Sequence, residues 1–102
     1  MSQKRTKIVC TLGPSCADEK TIESMAKAGM NVARLNFSHG TYENHALLIE
    51  RVRAVAKKMG LPLAILQDLQ GPKIRVGQLP EAGLELKPGE TVTFDTSKKI
   101  YD

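Results

Sequence analysis

Three stretches of this sequence end in polar residues suited to chemistry. Thr11, Gly13, Pro14 and Ser15 close the first, Arg34, Asn36, Ser38, His39 and Gly40 the second, and Asp68, Gln70, Gly71, Lys73 and Arg75 the third. Together they set three cations, Arg34, Lys73 and Arg75, against the single carboxylate of Asp68. That imbalance suits a multiply charged anion. Arg34 carries the sharpest signal, because it lies inside the apolar run 30–36 (MNVARLN), where a desolvated guanidinium is costly unless paired. Its planar fork matches phosphate or carboxylate oxygens, and one charge-assisted bond is worth roughly 1.5 to 3 kcal/mol. An internal ion pair with Asp68 satisfies the same residue equally well, and spacing does not choose between them.

The other polar residues divide in the same way. Asn36, Ser38 and Asp68 offer oxygens to a hard cation, although Asn and Ser after a strand also serve turns and helix caps. His39 and His45 have no metal-ligand spacing with other His or Cys, and His45, in the first turn of a helix, reads as solvated. Cys10 and Cys16 are too few for a disulfide framework and lack the second pair of a tetrahedral metal site. Cys10 reads as a small apolar strand residue and Cys16 as a loop residue. Gly40 and Gly71 relieve turns or admit a ligand close to the backbone. Neither a Walker A sequence nor a GxGxxG is present.

The elements that must position these residues follow from the apolar period. Residues 7–12 (KIVCTL) are a β-branched run stopped by Gly13 and Pro14, which predicts a buried strand and a turn. Asp18 can cap a helix with Ile22, Met25 and Ala26 at helical spacing and Gly29 as its stop. Residues 30–36 form a second strand. Thr41 then caps a longer helix whose stripe is Leu48, Ile49, Val52, Val55, Ala56 and Met59, closed by Gly60 with Pro62 beyond. Residues 63–68 (LAILQD) complete a third strand.

Strand, helix, strand, helix, strand with short connections implies a parallel sheet built by right-handed crossovers. The carboxyl ends of its strands share one rim, where α/β folds bind ligands. Past Gly71 the texture changes: 74–76, 84–86 and 91–94 are short strand candidates between Gly77, Pro80, Gly83 and the Lys87-Pro88-Gly89 turn. They predict the start of a small β domain, giving domains 1–73 and 74–102. Three parallel strands can open a doubly wound sheet or a (β/α)8 barrel, but a closed barrel typically needs about 250 residues. The third strand would keep an apolar edge that proteins normally cover. The expectation is an amino-terminal piece of a longer protein.

Composition narrows the function classes. The chain has 102 residues, 41% hydrophobic and 4% aromatic, with 15 Lys and Arg against 11 Asp and Glu for a net charge of +4. The basic excess is confined to Lys4, Arg5 and Lys7 at the start and Lys98 with Lys99 at the end, and stacking aromatics are scarce, so nucleic-acid binding is not expected. No run approaches the roughly 20 apolar residues of a membrane span, and the start lacks the apolar core of a secretory signal. A cytoplasmic protein is expected.

Three motifs resemble a known family. Residues 7–15 (KIVCTLGPS), 30–40 (MNVARLNFSHG) and 64–75 (AILQDLQGPKIR) are similar, in this order and spacing, to the start of the pyruvate kinases. The resemblance implies the fold class: α/β, the first three strand-helix units of a (β/α)8 TIM barrel followed by the start of a small inserted β-barrel domain. It implies an intact enzyme of glycolysis that transfers phosphate from phosphoenolpyruvate to ADP, giving pyruvate and ATP, and acts as a cytoplasmic homotetramer. Arg34 would contact substrate phosphate. Asn36, Phe37, Ser38, His39 and Arg75 would lie against the nucleotide, and Asn36, Ser38 and Asp68 with the Leu69 carbonyl would form a monovalent-cation site. Potassium-dependent members resemble DTKGPE where this chain has DLQGPK at 68–73, so Lys73 replaces a Glu and its ammonium can stand in for potassium. The catalytic Lys and the Mg2+ ligands of the family fall beyond residue 102, so the chain alone is expected to be inactive. The rivals are a non-catalytic phosphate-binding α/β module and a structural fragment whose apolar edge awaits a partner chain.

Overall fold

The computed structural model describes residues 4–97, so the basic pair Lys98 and Lys99 lies outside the described residues. The chain divides into two compact units, Met1–Gly71 and Pro72–Asp102. In the first, strand β1 (Ile8–Thr11) leads through a short 3-10 turn at Pro14–Cys16 to helix α1 (Glu19–Ala28), then β2 (Met30–Asn36), α2 (Tyr42–Met59) and β3 (Ala64–Asp68).

Both helices begin and end where the sequence predicts. The Asp18 carboxylate accepts from the Thr21 amide at 2.9 Å and from its hydroxyl at 2.7 Å, and Thr41 Oγ1 accepts from the Asn44 amide at 3.2 Å. Each cap satisfies an amide that has no partner within its helix. Gly60 closes α2 at φ +63, a left-handed conformation that costs a residue with a Cβ roughly 1 to 2 kcal/mol. The basic start has a structural part as well: Lys4 Nζ donates to Asn31 Oδ1 at 2.9 Å and to the Gly29 carbonyl.

The sheet is parallel in the order β1-β2-β3, with Thr11 beside Arg34, Arg34 beside Leu66, and Asn36 beside Asp68. Side chains alternate across a strand, so β2 sends Ala33 and Leu35 into the helices and Arg34 and Asn36 to the opposite face. The core joins these two residues to Leu12, Ile22, Ala26, Met30, Leu48, Val52 and Val55. It fills one face only. Ile8 and Val9 of β1 remain 42% and 52% exposed, so the first strand is not the buried strand that its composition predicts. The reason is topological: β1 is an edge strand, and no element of the first unit covers the second face of the sheet.

The second unit departs further from expectation. The strands anticipated at 74–76, 84–86 and 91–94 do not form; these residues are irregular, with turns at 81–82, 88–89 and 96–97. The turns themselves are real: Gly83 donates to the Pro80 carbonyl at 2.8 Å and Glu90 to the Lys87 carbonyl at 3.1 Å. What fails is pairing, since a strand exists only through a neighbour's amides and carbonyls. Ile74, Val76, Leu84, Leu86 and Phe94 are consequently exposed.

Candidate functional site

The three strands of the first unit end in one hydrogen-bonded cluster. Arg34 Nε donates to Asp68 Oδ2 at 3.0 Å, its Nη2 donates to the same oxygen, and Nη1 donates to Thr11 Oγ1 at 2.9 Å. The parallel register makes this possible, because it sets all three side chains on the open face of the sheet. A guanidinium carries five N–H donors in a fixed plane. Three are used here, so one on each of Nη1 and Nη2 remains for a ligand. The ion pair that competes with phosphate binding in the sequence is therefore formed. It fixes the plane of the fork without exhausting it, with 31% of the Arg34 side chain and 42% of the Asp68 side chain exposed.

The turn after β2 lies beside this cluster. Phe37 donates to the Asp68 carbonyl at 2.9 Å, Asn36 Oδ1 accepts from the Ser38 amide at 3.0 Å, and His39 donates to the Asn36 carbonyl at 3.2 Å. Asn36 thus serves the turn with its side chain, as Asn commonly does after a strand. Phe37 and Ser38 are half-buried and His39 is exposed. Between this turn, the β1-α1 connection and the start of α2 runs a cleft of about 540 Å³, lined among others by Thr11, Gly13, Asn36, His39, His45 and Arg51.

One residue of the cleft contradicts the sequence reading and another was not singled out by it. His45 is not solvated: it is 8% exposed, its Nε2 lies 2.7 Å from the His39 carbonyl, and its ring stacks on Phe37 at 4.2 Å with 10° between planes. The signal was present in the spacing, since positions 45, 48, 52 and 55 share one helical face, and Leu48, Val52 and Val55 are the buried residues of that face. Arg51 Nη1 donates to the Ala17 carbonyl at 2.6 Å and ties α2 to the first crossover connection. Cys10 is half-buried against the core, and Cys16 Sγ accepts from the Gly13 amide at 3.3 Å.

The remaining site residues lie after the third strand. Leu69 follows β3 and is 67% exposed. Lys73 and Arg75 belong to the second unit, where both are exposed. Of the oxygens expected to face a monovalent cation, Asn36 Oδ1 already accepts from the Ser38 amide and Asp68 Oδ2 from Arg34. For magnesium the chain does not fit: among the described residues no three His, Cys, Asp or Glu side chains gather, and the only strand-end carboxylate is engaged by Arg34. Among the described residues no helix is long and apolar enough to cross a membrane.

Residues 3–102 match the family described as Pyruvate kinase, barrel domain. The pyruvate kinase of Chlamydia muridarum is 49% identical over 96 residues, covering 94% of this chain and 20% of its own length. That of Haemophilus influenzae is 50% identical over 92 residues, covering 90% and 19%. The crystal structure of Cryptosporidium parvum pyruvate kinase superposes with a TM-score of 0.74 at 43% identity, over 83% of this chain and 18% of that one. The chain thus spans about a fifth of the length of the curated relatives it matches.

Proposed function

The chain belongs to the pyruvate kinase family, and from that membership we propose that it supplies the opening strands of a (β/α)8 barrel in an enzyme transferring phosphate from phosphoenolpyruvate to ADP. The products are pyruvate and ATP, in glycolysis. The observation that carries this reading is the Arg34 fork, oriented by Thr11 and Asp68 at the junction of three strand ends with two N–H groups open. Phosphoryl transfer is mostly positioning and neutralisation of charge on the transferring oxygens. A guanidinium already held in plane loses little freedom when phosphate arrives.

Within that reaction Arg34 binds the substrate phosphate, while the turn Asn36, Phe37, Ser38 and His39, with Arg75, lies against the nucleotide. Asn36, Ser38, Asp68 and the Leu69 carbonyl face the monovalent positive charge of the site, and the Lys73 ammonium supplies that charge in place of potassium. Bound magnesium would neutralise phosphate oxygens, held by residues outside this chain. Residues 1–73 contribute to the barrel and 74–102 begin the inserted β domain. The intact protein works as a cytoplasmic homotetramer.

The test is pyruvate formation from phosphoenolpyruvate, ADP and Mg2+ in a lactate dehydrogenase-coupled assay. The intact protein is expected to turn over, and the purified 102-residue chain to give no pyruvate. Phosphoenolpyruvate binding by the intact protein with no turnover would replace the kinase by a phosphate-binding module.

A further inference from the structure

We propose that His45 is a positioning residue: its buried imidazole holds the turn 37–40 in the conformation that receives the nucleotide. The inference rests on the assignment of Asn36 to His39 to the nucleotide. One ring meets three of the four turn residues. It stacks on Phe37 at 4.2 Å, and its Nε2 lies 2.7 Å from the His39 carbonyl. It also approaches Gly40 so closely that a Cβ there, at φ +76, would stand 3.4 Å from Nε2. A carbonyl only accepts, so Nε2 carries a proton in this contact. Nδ1 is buried with no hydrogen-bond partner. A phenylalanine would fill the same space beside Phe37 without orphaning a nitrogen. Histidine accepts that cost and gains one directed bond to the His39 carbonyl. The anchor is rigid because His45 shares its helical face with Leu48, Val52 and Val55, all in the core. The other restraints on the turn are two bonds to Asn36, one from Phe37 to the Asp68 carbonyl, and the packing of Phe37 against the core and Tyr42; none of them holds the His39 carbonyl.

In the intact protein, His45→Phe keeps the stack and removes the donor. Its KM for ADP is expected to rise about fivefold, the worth of one net hydrogen bond, with kcat and the KM for phosphoenolpyruvate within about twofold of wild type. His45→Gln restores a donor at the Nε2 position and is expected to bring the KM for ADP back within about twofold. An unchanged KM for ADP in His45→Phe, or an equal loss on both substrates in both variants, would overturn the proposal. The intact protein also supplies a readout that needs no activity. In its 15N-histidine NMR spectrum the signals absent from His45→Phe belong to His45. His45 is expected as a single Nε2–H tautomer; an Nδ1–H tautomer or a mixture would sink the positioning role. Should the intact protein lack kinase activity, the nucleotide assignment falls while the tautomer still decides what His45 holds.

Discussion

At the scale of single residues, Arg34 is where two explanations of one charge turn out to be compatible. The pair with Asp68 and the bond to Thr11 consume three donors on two edges of the guanidinium plane. The two donors left point wherever that plane is set, so the partners define the direction of recognition as well as compensating the charge. In the intact protein Arg34→Ala is expected to raise the KM for phosphoenolpyruvate by about 10- to 100-fold, read from initial rates at saturating ADP. Arg34→Lys is expected to recover little of this, because an ammonium cannot hold Asp68, Thr11 and phosphate in one plane. An Arg34→Ala enzyme with wild-type affinity would remove the residue from the site.

Elements explain why those residues meet at all. The crossovers are set by caps, and the Asp18 cap carries a pH dependence of known sign. The hydrogen bond from the Thr21 hydroxyl, then that from its amide, holds the Asp18 carboxyl below the ordinary aspartate range. A lowered folded-state value means that the ionised cap stabilises above the unfolded value of about 4, and that this contribution is lost as pH falls through the folded one. Asp18→Ala is therefore expected to lower the melting temperature at pH 7, with the gap to wild type narrowing below about pH 4. Asp18→Asn, a comparable cap, should melt close to wild type at pH 7. A gap that stays constant with pH would assign the effect to something other than the carboxylate. Farther along, Glu23 accepts from Lys58 at 2.8 Å and pairs with Lys27 at 3.1 Å, bridging α1 to α2. The hydrogen bond from Lys58, then that from Lys27, holds the Glu23 carboxyl below its usual range.

For the whole molecule the deciding feature is the face of the sheet that the first unit leaves uncovered. Leu66, the β3 neighbour of Arg34, is 41% exposed on it, and Val9, two residues before Thr11, is 52% exposed. A barrel closed by further strands would bury that face and desolvate the Arg34 cluster, where charge-assisted bonds act at lower dielectric. At this scale too the proposed role of Lys73 can be tested. With saturating substrates, the intact enzyme is expected to run without added potassium at a rate within tenfold, on the order-of-magnitude criterion of one unit charge replaced by another. A larger activation by potassium would show that the lysine does not take the cation's place.

The sequence alone determined the elements of the first unit and the rim they share. Periodicity and capping are local, and Asp18, Gly29, Thr41 and Gly60 each act within a turn of their own position. Arg34 was legible for the same reason, as one charge in an apolar run. What only the tertiary structure decided depends on groups far apart in the chain. Thr11, Arg34 and Asp68 bond through a register that no local pattern encodes. His45 is buried because Phe37 and the His39 carbonyl fold back over it. The apolar residues of 74–94 stay irregular because strand formation is a property of pairs, and composition supplies only one member of each.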